Sequence, residues 1–168
     1  MSFAGYSFCK PHSASYAQVS MKSAYLRAHY PAEFIAAVVS NQGGYYSAFA
    51  YLSEGRRMGL TILLPDINAS DWAYVGSGKT VLVGLMQITS LQVDFATRIV
   101  TERQTNGLYR SLSDFLDRVR PEIAQTTLLI KAGCFDSIAG ELTRPALLWR
   151  LFASQATKPP GYQPVPPE

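Results

Sequence analysis

Lys10 and His12 stand two residues apart in Gly5-Tyr6-Ser7-Phe8-Cys9-Lys10-Pro11-His12-Ser13-Ala14-Ser15-Tyr16-Ala17, where a helical pattern begins. The first backbone N–H groups of a helix lack intrahelical partners, and the helix dipole is positive at that end. A Lys ammonium and an imidazole at the same place add side-chain donors, so the chemistry they suit is the holding of phosphate. A second stretch, Tyr25-Leu26-Arg27-Ala28-His29-Tyr30-Pro31-Ala32-Glu33-Phe34, continues the theme with a further cation and imidazole.

Other arrangements that could do chemistry are weaker. Ala73-Tyr74-Val75-Gly76-Ser77-Gly78-Lys79-Thr80 fits a relaxed phosphate-loop pattern with Ala in place of the first Gly. A phosphate loop follows a strand and opens a helix, whereas Lys79-Thr80 runs into the β-prone Val81-Leu82-Val83, so a hairpin turn is the better reading. Cys9, His12 and His29 have no spacing that brings an imidazole to a nucleophile. Asp66, Asp71 and Asp94 are separate carboxylates, and Asp66 and Asp71 bracket Asn68 and Ser70 as turns and caps do. No catalytic or metal-ligating set stands by itself, so no catalytic residue, metal ligand or cofactor is assigned to this chain.

The elements that must position these residues read as mainly α. Ala14, Ala17, Met21, Ala24, Tyr25 and Ala28 recur at helical spacing from Ser13 to Ala28, which predicts an amphipathic helix. Pro31 suits the first position of a second helix, ended by Gly43-Gly44, and a third covers Ser47 to Met58 with Gly59 as its left-handed cap. Leu60-Thr61-Ile62-Leu63-Leu64 reads as a short buried strand stopped by Pro65. Two β-prone runs around Gly76-Ser77-Gly78-Lys79 read as a β-hairpin. Helical segments follow at Val93 to Arg103, Ser111 to Val119, Glu122 to Ala132 and Thr143 to Ser154, punctuated by Gly107, Pro121, Gly133 and Gly140. Lys158 to Glu168 carries five prolines in eleven residues and reads as a disordered tail or linker.

The whole chain bounds what these residues can belong to. With 168 residues, 48% hydrophobic and 16% charged, it can bury a core as one domain or two small ones. The net charge is only +3, but residues 1–60 hold Lys10, Lys22, Arg27, Arg56 and Arg57 against Glu33 and Glu54. That basic early region fits nucleotide or nucleic-acid contact, and a solvated face fits it equally. Cys9 and Cys134 have no CxxC spacing, so neither a disulfide framework nor a zinc site is expected. There is no long apolar run and no basic segment leading into one, so no membrane partner is expected and a cytoplasmic setting is.

Taken with Lys10, His12 and the Tyr25-to-Phe34 stretch, the chain resembles the bacterial C-family DNA polymerases, the replicative DNA polymerase III alpha subunit and its error-prone relatives. The resemblance continues through Arg56-Arg57-Met58-Gly59-Leu60, Leu64-Pro65-Asp66-Ile67-Asn68, Val83-Gly84-Leu85, Leu112-Ser113-Asp114-Phe115 and Ile130-Lys131-Ala132-Gly133-Cys134-Phe135-Asp136-Ser137, in family order over residues 3 to 152. It implies that residues 1–68 are the end of a helical fingers domain, 69–84 a β-hairpin connection, 85–155 a small helix-hairpin-helix-like bundle, and 156–168 a tail. It implies that Lys10 and His12 bind nucleotide or phosphate, and makes Lys22, Arg27, Arg56 and Arg57 candidate DNA contacts. A solvated or core-bridging helix face is the alternative for Arg27, Arg56 and Arg57.

The partners so implied are primer-template DNA, a deoxynucleotide triphosphate and other polymerase subunits. The activity implied is DNA-directed DNA synthesis, replicative or error-prone. The family's catalytic aspartates, which hold two magnesium ions, belong to a palm domain upstream, so the expectation is a fragment, split product or remnant inactive alone. Two departures stand out. Family members show Asn-Lys-Ser-His-Ala where this chain has Cys9-Lys10-Pro11-His12-Ser13, and a hairpin Gly-Val-Gly is replaced by Ser90-Leu91-Gln92. The second removes glycines whose backbone N–H groups would reach phosphate, so the element reads equally as a packing module. Asn41-Gln42-Gly43-Gly44-Tyr45-Tyr46, Ala69-Ser70-Asp71-Trp72 and Arg144-Pro145-Ala146-Leu147-Leu148-Trp149 resemble the error-prone branch, while Arg57-Met58-Gly59-Leu60 and Ala132-Gly133-Cys134-Phe135-Asp136 resemble the replicative one. The competing classes are a non-catalytic module that docks on a palm-bearing chain and, through Lys79, a small ATPase.

Overall fold

The computed structural model describes residues 10–42 and 44–156, with the side chains of residues 11–42 and 44–154. Among the described residues, seven α-helices and three short strands follow one another as α1 (Lys10–His29), α2 (Pro31–Asn41), α3 (Ala48–Arg57), β1 (Thr61–Leu63), β2 (Val75–Ser77), β3 (Thr80–Leu82), α4 (Val93–Asn106), α5 (Leu112–Val119), α6 (Ile123–Ala132) and α7 (Arg144–Ala156), with single 3-10 turns at Leu85–Gln87 and Asp136–Ile138. The fold is mainly α with one small sheet, as expected. Described residues 10–63 and 74–82 form one compact unit, and 64–73 with 83–156 form a second. The 69–84 stretch is therefore divided, its first five residues lying in the second unit and Tyr74–Leu82 in the first.

In the first unit, α2 is the hub. Its Ala32, Ile35, Ala36 and Val39 are buried, and the helix packs on α3, β2 and β3. Pro31 opens it at a position that needs no N–H, and Gln42, at φ 51°, closes it in the left-handed region. Gly43 lies outside the described residues. α3 starts at Ser47, whose Oγ accepts from the Ala50 N–H, and ends before Gly59, at φ +84°.

The hairpin turns on Gly78-Lys79, with Gly78 at φ +59° as a two-residue turn with Gly first demands. Lys79 thus sits on a turn between strands rather than at a helix mouth. The sheet order is β1-β3-β2, with β1 parallel to β3 in register Thr61 with Thr80. β1 is an edge strand with Thr61 and Leu63 exposed, so the buried strand read from its apolar run is corrected; only Ile62 is half covered. Gly76 is where hairpin meets helix, because a Cβ there would overlap the Ala32 carbonyl. The hairpin is also tied to α2 by the Tyr74 N–H donating to Ser40 Oγ at 2.9 Å and the Gly78 N–H to Glu33 Oε1 at 3.3 Å.

α1 begins earlier than its apolar pattern, at Lys10, because a proline is tolerated in a first turn. The expected amphipathic packing is corrected: every described α1 side chain except the half-buried Ser23 is exposed, apolar ones included. Four of the six apolar positions of the pattern are alanines with little area to bury. The larger residues fall on opposed sides of the wheel, Tyr16, Val19 and Leu26 on one and Met21 and Tyr25 on the other.

The second unit holds the larger core. Phe115 lies fully buried at its centre, its ring edge-on to Phe95, Tyr109 and Phe135 at centroid distances of 6.5, 5.1 and 5.1 Å. Around it pack Ile67, Leu85, Ile99, Leu129, Ile130 and Leu147. Ser111 caps α5 by accepting from the Asp114 N–H, and Gly133, at φ +86°, closes α6. No helix among the described residues is long and apolar enough to cross a membrane.

Candidate nucleic-acid interface

The six cations and imidazoles singled out in the sequence all lie in the first unit, and the structure sorts them. Lys10 is the first residue of α1, its side chain outside the described residues; His12 lies in the same turn, exposed, and that turn holds no acidic residue. The open N–H groups and the dipole are therefore not countered by a carboxylate from the helix itself. Lys22 is exposed farther along the same helix, about 15 Å from His12 at 1.5 Å per residue.

Glu54 of α3 accounts for two of the arginines. Its Oε1 accepts from Arg27 Nη2 at 2.6 Å, and its Oε2 lies 2.9 Å from Arg57 Nε and 2.8 Å from Arg57 Nη2. Arg56 is exposed and has no ion pair among the described residues. The half-buried Glu54 thus fixes the positions of Arg27 and Arg57 and leaves Arg56 as the uncommitted guanidinium of α3.

Arg103 and Arg118 of the second unit are used differently. Arg103, nearly buried, donates to the Ile67 and Ser70 carbonyls at 3.0 and 2.7 Å and to Asp71 Oδ1 at 2.7 Å. Asp66 Oδ1 accepts from the Asn68 and Ala69 N–H groups, and the Asn68 amide exchanges two 2.8 Å hydrogen bonds with the Tyr109 backbone. Ser137 Oγ donates to Asp66 Oδ2, and Ser70 Oγ donates to the Val83 carbonyl. Pro65-Asp66-Ile67-Asn68 is therefore a turn locked on the helical core, consistent with the cap-and-turn reading of Asp66, Asn68, Ser70 and Asp71.

Arg118 has a similar role, bridging Glu102 at 3.0 Å, Asp114 at 3.3 Å and the Gly107 carbonyl at 2.8 Å, with its guanidinium over the Tyr109 ring. The Glu102 carboxyl is held below its ordinary range by its hydrogen bonds with Arg118 and Asn106, and that of Asp114 chiefly by accepting from the Arg110 N–H. Sequence reasoning missed Arg103, whose partners are mostly carbonyls more than 30 residues away, and Arg118, whose contacts with Glu102 and the Gly107 carbonyl form only in the folded chain. Burial pushes the Cys134 thiol up to about 12, which makes it inert as a nucleophile. Among the described residues no three His, Cys, Asp or Glu side chains come together as a metal site.

The turn at Ser90-Leu91-Gln92, where glycines were expected, is tied to the protein itself. Ser90 is left-handed at φ 65° and Leu91 is buried; the Gln92 N–H donates to Gln125 Oε1 at 3.0 Å, while Gln125 Nε2 donates to the Ser90 carbonyl at 3.2 Å. Asp94 then stands in the first turn of α4. An amide already committed to Gln125 and a carboxylate beside the remaining ones leave this turn poorly disposed toward phosphate.

The 3-10 turn at Leu85–Gln87 and α4 flank this turn, α5 and α6 follow and close at Gly133, and the helix-hairpin-helix motif profile matches residues 59–146. The chain belongs to the helix-hairpin-helix motif family. The helix-hairpin-helix region and the helices before it are together related to bacterial replicative polymerases. The chain is 39% identical over 140 residues to the DNA polymerase III subunit alpha of Saccharopolyspora erythraea, covering 81% of this chain and 12% of that protein. It is 34% identical over 157 residues to that of Thermus aquaticus, covering 88% and 13%. An error-prone DNA polymerase of Mycolicibacterium paratuberculosis is 32% identical over 160 residues, covering 94% and 14%. The chain thus spans only about an eighth of the length of the curated relatives it matches.

Proposed function

We propose that this chain serves as part of a DNA polymerase III alpha-type subunit, contributing incoming-nucleotide and primer-template contacts to template-directed DNA synthesis. The observation that carries this is the first turn of α1, where Lys10 and an exposed His12 stand at the N-terminus of a 20-residue helix whose first turn has no acid. Phosphate oxygens there would accept from the Lys10 ammonium, an imidazole N–H and open backbone amides. Lys22 and Arg56 extend the same positive character, and Arg27 and Arg57 are held in reserve by Glu54. The magnesium ions of the two-metal reaction belong, in this reading, to the palm aspartates of the relatives. The described residues offer no donor set that fits them.

Binding of the full chain to a labelled primer-template at two salt concentrations, with Lys10→Ala and His12→Ala alongside, tests this. The expected result is weaker binding in either variant, with the slope of log K on log salt shallower by about 0.9 for each phosphate that is no longer neutralised. Unchanged binding by both variants with helix content intact would overturn it.

A second reading is favoured by one observation. Tyr16, Val19, Met21, Tyr25 and Leu26 leave an apolar α1 exposed on both sides, which suits a module docked on a palm-bearing polymerase chain. Association with such a chain that survives Lys10→Ala but is abolished in a Val19→Ser, Leu26→Ser double variant would support it.

A further inference from the structure

Three aromatic rings between the end of α2 and the first turn of α3 stand in solvent. Tyr45 is 93% exposed, Phe49 75% and Tyr46 65%. Their placement is ordered. Gln42 turns the chain in the left-handed region, Ser47 caps α3, and Tyr46 sits edge-on between Tyr45 and Tyr51 at centroid distances of 5.2 and 6.0 Å. Tyr51 braces the turn from below, since a Cβ on Gly44 would fall 2.5 Å from its hydroxyl oxygen. Each edge-to-face contact covers one face of one ring in the pair, and Tyr45, Tyr46 and Phe49 keep most of their surface in solvent.

Arg56 lies seven residues after Phe49, two turns along the same side of α3 and about 10 Å away. It is the guanidinium that Glu54 does not hold. Exposed rings followed at that distance by a cation without an ion pair among the described residues match a ligand with flat apolar faces and regularly spaced negative charge.

We infer that Tyr45, Tyr46, Phe49 and Arg56 form a stacking platform for single-stranded DNA, the rings taking unpaired bases and Arg56 a phosphate. Duplex DNA fits poorly, because its bases are already stacked on one another. An apolar protein partner fits less well than single-stranded DNA because the patch is tyrosine-rich and Arg56 is exposed with no ion pair among the described residues. This deepens the DNA-contacting reading above but rests on a different surface from Lys10 and His12.

The test is fluorescence anisotropy of a labelled oligothymidylate, and of a blunt duplex of equal length, with the full chain and its Tyr45→Ala, Phe49→Ala, Phe49→Leu and Arg56→Gln variants. These side chains are exposed, so the variants should keep wild-type far-UV dichroism. Removal of either ring should weaken single-strand binding about fivefold or more, with Phe49→Leu behaving like Phe49→Ala. Arg56→Gln should make the salt slope shallower by about 0.7. The platform is overturned by absent single-strand binding, by equal weakening on the duplex, or by tolerance of Phe49→Leu, which would mark a protein-docking face. Lys10→Ala on the primer-template is read in parallel. An effect there with none at Tyr45 and Phe49 sinks the platform alone, and the converse sinks the helix-mouth reading alone.

Discussion

The two compact units differ in where they commit their most buried arginines and aromatic rings, although each also exposes some cations and apolar side chains, Arg120 and Trp149 in the second among them. In the second unit, Arg103, Arg118 and Arg144 are bound to carboxylates and backbone carbonyls, and Phe115 gathers three other rings around it in the core. In the unit that carries α1 to α3, His12, Lys22 and Arg56 face solvent without ion pairs among the described residues, and Tyr16, Tyr45 and Phe49 are exposed. An arginine bonded to buried carbonyls acts in folding, whereas an exposed one without an ion pair among the described residues is available to a ligand. Relatedness to DNA polymerases covers both units, so the contrast decides where contacts with DNA are sought within the chain.

The contrast breaks first at Phe115. Both tryptophans, Trp72 and Trp149, lie in the second unit, so their fluorescence reports that unit during denaturation. Phe115→Ala removes a ring with no exposed surface and should lower the stability of the tryptophan-reported transition by about 3–5 kcal/mol in urea titrations. A change below about 1 kcal/mol would mean that the core is loose enough to close over the gap, and the contrast with the first unit would fail.

Arginines sharpen the comparison at the next level. Arg103→Met keeps the stem but strips hydrogen bonds from the Ile67 and Ser70 carbonyls and from Asp71, and should cost about 2–3 kcal/mol in the same titration. Arg56→Met should change stability by no more than about 0.5 kcal/mol, as a surface substitution without partners does. If the two costs were alike, the division into structural and free cations would be wrong.

Much of this architecture was legible in the sequence where the signal is local. Pro31 at a helix start, Gly59 as a left-handed cap and the turn at Gly76-Ser77-Gly78-Lys79 each act within a few residues. The parallel pairing of β1 with β3 was not legible, since nothing in Thr61-Ile62-Leu63 names Thr80-Val81-Leu82 as its partner. Nor was the exposure of α1, whose apolar spacing is genuine but belongs mostly to alanines. At the candidate site the basic residues were visible, but not which of them are free. That depends on Glu54, which is 27 residues from Arg27 and bonds it only in the folded chain. Arg103 bonds carbonyls that carry no residue-specific signal, so no pattern announces it.

A smaller effect comes with acid. Glu102 and Asp114 have folded values below their ordinary 4.5 and 3.8, so their bonds stabilise the second unit above those values. That contribution disappears as pH falls through the depressed folded values, because the unfolded carboxyls take up protons first. Tryptophan-monitored stability should therefore decline below about pH 4.5, and Arg118→Met should make the decline shallower. An unchanged slope in that variant would show that Arg118 does not set the titration.

Glu54 gives the finest test, because it is a point in the first unit where cations are held as they are in the second. Its pairs with Arg27 and Arg57 are substantially exposed, with 53% and 75% of those two side chains in solvent, so Glu54→Gln should cost only about 0.2–1 kcal/mol. The same substitution removes a negative charge beside Arg56 and releases two guanidiniums. If the first unit is a ligand surface, the stability change and the binding change should run in opposite directions. The variant is slightly less stable, yet it binds the primer-template more tightly, with a salt slope steeper by up to about 0.9 for each released cation that reaches a phosphate. Tighter binding without a change in slope would trace the gain to relief of repulsion by Glu54 rather than to new pairing with phosphate. Weaker binding would mean that Glu54 holds Arg27 and Arg57 in their working positions, which makes that ion-paired cluster part of the interface.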